Sequence, residues 1–148
     1  MTSHRVDPHA ARVVSGRPSR PVLLVLEDDA SARDLLLEVG GDAGWDVRGA
    51  STIASLRHAL DERLPDLLII DDDVGDGRTG DLARELRAGR HTRDMPIMIV
   101  TDAQPRRRAE LATLAWVLPK PFDLVDLERH LTRADGTHRG GRAGQPAG

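Results

Sequence analysis

Five side chains in this sequence could together handle a phosphoryl group: Glu27, Asp28, Asp71, Thr101 and Lys120. Each follows an apolar run. Val22-Leu23-Leu24-Val25-Leu26 gives way to Glu27-Asp28-Asp29, and Leu67-Leu68-Ile69-Ile70 to Asp71-Asp72-Asp73. Ile97-Met98-Ile99-Val100 gives way to Thr101-Asp102, and Ala115-Trp116-Val117-Leu118 to Pro119-Lys120-Pro121. Gathered in one place, the carboxylates repel. Two unit charges ~4 Å apart cost ~4 kcal/mol at an effective dielectric of about 20. Either a carboxyl keeps its proton or a cation sits among them. Oxygen-only ligands suit Mg²⁺, which retains waters and shares its shell with phosphate oxygens. Lysine would supply an opposing charge, threonine a hydroxyl donor, and a carboxylate the nucleophile of an acyl phosphate. Plainer roles exist for each piece alone. The acidic run could complement a helix N-terminus, Thr101 could cap a turn, and Lys120 could lie on a solvated approach to a helix.

What gathers these residues is the pattern between them. Short, uninterrupted apolar runs suit strands buried on both faces of a parallel sheet. Helical faces separate them. Ser31 is a candidate N-cap for a helix with Leu35, Leu36 and Val39 inward, although Gly40-Gly41 fall inside it and should weaken it. Gly44-Trp45-Asp46-Val47 reads as a turn and a short strand. Thr52 caps a helix with Ile53, Leu56, Ala59 and Leu60 on one face. Asp76-Gly77-Arg78 is a turn, followed by a face of Leu82, Ala83 and Leu86. Pro105 opens a short helix over 106–114, and Leu124, Leu127 and Leu131 line a last one. Five strands alternating with five helices make right-handed parallel βαβ units. In an open α/β sheet ligands bind beyond the carboxyl ends of the strands. All five chemical residues belong to that edge, with Asp71 just past the central strand.

Composition narrows the classes. The chain has 148 residues, few aromatics and no cysteine, which excludes disulfides, thiolate metal sites and a cysteine nucleophile. No apolar run approaches a membrane span, and residues 1–20 lack a signal-peptide core. A cytoplasmic protein is the expectation. Residues 1–20 and 133–148 are polar and Arg-rich, read as disordered tails around one domain at 21–132. The tails are basic and the body between them is acidic, which argues against nucleic acid as the main ligand. Lys120 is the single lysine beside twenty arginines.

Taken together, the motifs resemble the receiver domains of bacterial two-component response regulators. The resemblance covers about residues 21–132. It is carried by Val25-Leu26-Glu27-Asp28-Asp29 with Arg33, and by Pro65-Asp66-Leu67-Leu68-Ile69-Ile70-Asp71. Pro96-Ile97-Met98-Ile99-Val100-Thr101, Leu118-Pro119-Lys120-Pro121-Phe122 and the Gly44, Val47 pair complete it. It implies a flavodoxin-like, doubly wound sheet of order 2-1-3-4-5. It implies that Asp71 accepts phosphate from a sensor histidine kinase or histidine phosphotransfer protein. Asp28, Asp71 and the backbone carbonyl of Asp73 would bind Mg²⁺, with Glu27 acting through water. Lys120 and Thr101 would contact the phosphoryl oxygens, and Lys120-Pro121 would be a cis bond. The implied output is docking on a protein target, as a stand-alone regulator in a phosphorelay. Membrane or DNA contact is not expected, nor catalysis beyond self-phosphorylation and autodephosphorylation.

The sequence departs from the family in places. Val74-Gly75 replaces the usual Met-Pro pair, and Asp102 stands where a small residue is usual and could repel a phosphoryl group. Val117 fills the usual aromatic position, and the segment between Thr101 and Lys120 is short. Those departures leave a second reading open, a degenerate receiver that binds a partner without phosphorylation. Asp71-Asp72-Asp73-Val74 also resembles the opening of haloacid-dehalogenase-like phosphatases, but no later Asp-Asp pair follows Lys120. Arg106-Arg107-Arg108 could suggest nucleic acid, yet a short basic run more often makes a solvated helix face.

Overall fold

The computed structural model describes residues 19–74 and 78–139, with side chains described through residue 132. Most of the expected N-terminal tail, residues 140–148 and most of the turn at Asp76-Gly77-Arg78 fall outside the described residues. Five strands alternate with five helices. They are β1 (Val22–Leu26), α1 (Ala30–Asp42), β2 (Asp46–Ala50), α2 (Ile53–Glu62), β3 (Leu67–Asp71), α3 (Thr79–Ala88), β4 (Ile97–Thr101), α4 (Pro105–Ala112), β5 (Trp116–Pro119) and α5 (Leu124–Arg139). The strands form one parallel sheet in the order β2-β1-β3-β4-β5. This is the doubly wound, flavodoxin-like arrangement that the family resemblance implied.

The side-chain period of two along each strand divides the core between the two faces of the sheet. Leu24, Leu26, Leu68, Ile70, Ile97 and Ile99 pack with Leu56 of α2, with Leu82, Ala83 and Leu86 of α3, and with Leu111 of α4. Leu23, Val25, Leu67, Ile69, Met98 and Val100 pack with Leu36 and Val39 of α1 and with Leu127 and Leu131 of α5. The β1, β3 and β4 residues are buried throughout, as continuous apolar runs require when both faces are covered. Leu56 is the fully buried residue of α2, and burying such a side chain is worth ~1.5–3 kcal/mol.

Helix boundaries correct several expectations. Asp29, not Ser31, caps α1: its Oδ1 accepts from Ala32 N at 2.7 Å. The carboxylate is both the stronger acceptor and a favourable charge at a helix N-terminus. Leu35 points out of the core at 46 % exposure, and so does Leu124 at 44 %. Leu36 and Val39 hold α1 to the sheet, and Leu127 and Leu131 hold α5. Thr52 does cap α2, in a reciprocal box with Ser55. The last helix continues to Arg139, seven residues past the expected domain end at 132.

Gly40 is where the sequence pattern misled most. Helix propensity marks it as a weak point, but packing requires it. A Cβ there would lie 2.5 Å from Leu23 Cδ2 and 3.0 Å from Val47 Cγ1. Its absence lets α1 settle onto β1 and β2. Nothing lies within 4 Å of a Cβ at Gly41.

Candidate phosphoryl-acceptor site

Strand register brings the chemical residues together. Leu26 is level with Ile70, so the residues that follow, Glu27 and Asp71, emerge side by side. Asp71 is the last residue of β3, not the first beyond it, and is level with Val100. Thr101 is level with Pro119, which leaves Lys120 next at the edge. The Lys120 backbone N–H donates to Thr101 O at 2.7 Å, and the Lys120–Pro121 bond is cis. Four elements thus deliver one cluster.

Asp71 is its centre. Its side chain is nearly buried, and Lys120 Nζ donates to both carboxylate oxygens, 3.1 Å each. The Asp73 backbone N–H donates to Oδ1 at 2.9 Å, and the Asp73 side chain is exposed. Behind the carboxylate, Thr79 Oγ1 of α3 donates to the Asp71 carbonyl at 3.3 Å. Glu27 is 3 % exposed. Its Oε1 accepts from Asp29 N at 3.0 Å, and its carbonyl accepts from Arg33 Nη1 at 2.9 Å. Arg33 thereby ties α1 to the end of β1.

The charges divide unevenly. Burial, reinforced by the hydrogen bond to Asp71, pushes the Glu27 carboxyl up to about 8. Burial also pushes Asp71 upward, but hydrogen bonds from Glu27, from the Asp73 backbone and from Lys120 outweigh it and hold Asp71 below the usual carboxylate range. Burial lowers Lys120 as well. The hydrogen bond and charge of Asp71, with the charges of Glu27 and Asp102, reverse that and keep the ammonium protonated above its ordinary range. Burial thus favours the protonated form at Glu27, while the hydrogen bonds favour the ionised form at Asp71.

A divalent cation fits this donor set by its chemistry. The neighbouring carboxyls of Glu27 and Asp71, with Asp28 hydrogen-bonded to Glu27, are oxygen donors only. A Glu27 carboxyl forced to hold a proton near neutrality lacks a counter-charge. Among the described residues no three His, Cys, Asp or Glu side chains are gathered closely enough to hold a metal ion by themselves. Mg²⁺ normally relies on one or two carboxylates, completed by water and phosphate.

Thr101 closes β4. It is fully buried, and its hydroxyl is turned to Asp72: Oγ1 donates to Asp72 Oδ2 at 2.7 Å and accepts from Ala103 N at 3.0 Å. Asp72 Oδ1 also lies 3.9 Å from Arg107 Nη2. Sequence reasoning missed both partners. Asp72 sat unremarked within an acidic run, and Arg107 within a basic one read as a solvated helix face. Their spacing from Thr101 carries no local periodic signal. Val117, in the position of the usual aromatic, is half-buried and packs on the core face that α2, α3 and α4 cover.

No family model matches the chain. It is 31 % identical over 115 residues to the DNA-binding transcriptional regulator NtrC of Rhizobium meliloti (strain 1021). The match covers 76 % of this chain and 23 % of that protein, so the chain spans about a quarter of the relative's length. Among solved structures it resembles the chemotaxis response regulator CheY4 of Vibrio cholerae, with a TM-score of 0.71 at 21 % identity over 78 % of this chain and 99 % of that one. It also resembles the receiver domain of the sensor histidine kinase PA1611 of Pseudomonas aeruginosa PAO1, which holds a magnesium ion in its active-site cleft. There the TM-score is 0.70 at 21 % identity, over 80 % of this chain and 99 % of that one.

Proposed function

Starting from a chain that has the fold of a response regulator receiver domain, we propose that it is a signalling module whose Asp71 accepts a phosphoryl group. The observation that carries this reading is a nearly buried Asp71 held by Lys120 through both oxygens, beside a buried Glu27. An Asp71 oxygen attacks the phosphorus of a phosphohistidine on a partner kinase or phosphotransfer protein. The P–N bond breaks, the imidazole leaves with its electron pair and takes a proton, and an acyl phosphate forms on Asp71. Lys120 moves from the carboxylate to the phosphoryl oxygens and meets their charge with a compact ammonium. Mg²⁺ held by Asp28, Asp71 and the Asp73 carbonyl, with Glu27 through water, would neutralise the charge of the transferred group. Loss of the Glu27 proton is then favoured, because a cation replaces it.

The receiver fold supports a histidine kinase or phosphotransfer protein as donor. Exposed Leu35 on α1, with Leu124 and Val125 on α5, supports docking of a protein there, since α1 and α5 lie against each other. Among the described residues no helix is long and apolar enough to cross a membrane. Output by docking on a target protein in a cytoplasmic phosphorelay, without DNA contact, belongs to the same proposal.

The test is incubation with acetyl phosphate, read by intact mass with and without Mg²⁺. One Mg²⁺-dependent phosphoryl group is expected on the native chain and none on Asp71→Asn. Equal labelling of the two would overturn the assignment. Release of phosphate from simple monoesters over many turnovers would favour a phosphatase.

A further inference from the structure

Asp72, adjacent to the acceptor, holds the hydroxyl that Asp71 would need. A threonine hydroxyl has one proton to give, and here Thr101 gives it to Asp72 Oδ2 at 2.7 Å. Thr101 is fully buried, and its oxygen is fixed from the other side by Ala103 N at 3.0 Å. Water is therefore a poor substitute partner for it. Asp72 is only partly exposed, with Arg107 of α4 within 3.9 Å. The Arg107 guanidinium lies over Gly80 at the start of α3, where a Cβ would approach Nη2 to 2.9 Å. The absence of a side chain there gives the guanidinium room beside Asp72.

We propose that Asp72 is a positioning residue that competes with the phosphoryl group for the Thr101 hydroxyl. In the resting chain the hydroxyl serves Asp72. On phosphorylation of Asp71 it turns to a phosphoryl oxygen, and Asp72 is left to Arg107. A polar relay then joins the acceptor loop to α4, on the side of the sheet where Val117 supplies no aromatic ring. The inference rests on the acceptor reading of Asp71 and goes beyond it, because it sets how tightly the activated state is held. A ligand that captures a hydroxyl already engaged by a carboxylate loses the worth of that charge-assisted bond.

The experiment uses the full chain and beryllofluoride, a trigonal stand-in for the phosphoryl group on a carboxylate, with Mg²⁺. Amide shifts are followed in the native protein, Asp72→Ala, Asp72→Asn, Thr101→Ala and the Asp72→Ala/Thr101→Ala double variant. Asp72→Ala should bind beryllofluoride roughly tenfold more tightly. Asp72→Asn, which keeps an acceptor for the hydroxyl, should gain less. Most of the Asp72→Ala gain should vanish when Thr101 is already Ala. A gain that persists undiminished in that background would come from removing a negative charge, and would overturn the competition. Before any beryllofluoride is added, Asp72→Ala should shift the Ala103 amide and the Thr101 methyl, and unmoved resonances would overturn the contact itself. If those resonances move but no protein binds beryllofluoride, the acceptor reading of Asp71 fails and takes the competition with it. Binding by all the proteins with equal affinity would overturn the role of Asp72 alone.

Discussion

At the scale of residues, the surroundings push two neighbouring carboxyls in opposite directions, Glu27 up and Asp71 down. Glu27 titrates at about 8 in the folded chain against 4.5 for an ordinary glutamate. Between those values the folded state keeps a proton that the unfolded chain has lost. Each rise in pH therefore costs stability, fully present below 4.5 and lost as pH passes through about 8. Glu27→Gln removes this linkage. Its melting temperature relative to the native chain should climb from about pH 5 to about pH 9 when Mg²⁺ is absent, as scanning calorimetry would read. A constant difference would mean that Glu27 is ionised throughout. Lys120 is the second residue whose type matters beyond its charge. Its ammonium bridges both Asp71 oxygens from a half-buried position, where a planar guanidinium would not fit the same way. Lys120→Arg should slow phosphorylation by acetyl phosphate by roughly tenfold or more, measured by mass at timed intervals. A native rate would show that charge alone suffices. The chain's use of arginine at every other basic position except histidines makes this single lysine the residue most directly readable from sequence.

At the scale of elements, the strands deliver the site and the helices set how rigidly it is held. The two glycines of α1 separate packing from propensity. Gly41→Ala should stabilise the fold by ~0.5–1 kcal/mol, because the new methyl meets nothing and the helix gains. Gly40→Ala should destabilise it by ~1–3 kcal/mol, because the methyl is driven into Leu23 and Val47. Urea unfolding of the two variants measures this, and equal signs would contradict it. The pair also shows the limit of periodicity. A 3.6-residue pattern reports which face is apolar, but not how closely a helix approaches the sheet. For the same reason Leu35 and Leu124 were legible as apolar, and not as exposed. Asp29 displaced Ser31 as the cap because both are good N-caps and only the path of the chain after β1 chooses between them. By contrast the three central strands, β1, β3 and β4, were plain in sequence. Burial on both faces leaves no polar positions to blur a run such as Leu67–Ile70.

At the scale of the whole molecule, the parallel sheet turns distant sequence positions into one edge. That is why Glu27, Asp71, Thr101 and Lys120 could be grouped from sequence while the Thr101–Asp72–Arg107 chain could not. The first set follows from topology, the second from side-chain directions in the loops beyond it. The same architecture bounds the response to activation. Val117 offers no ring to swing, and α4 has eight residues. Chemical-shift changes on adding beryllofluoride and Mg²⁺ should stay within the loops after Asp71 and Thr101 and the first turn of α4. Large changes through α5 would contradict this. The central claim is that Asp71 is the group that takes the phosphoryl. Borohydride reduction after acetyl phosphate treatment converts an aspartyl phosphate to homoserine, and peptide mass sequencing then locates it. The account predicts homoserine at position 71 and at no other. Homoserine at position 28, 72 or 73, or a borohydride-resistant phosphate on a serine or threonine, would contradict it.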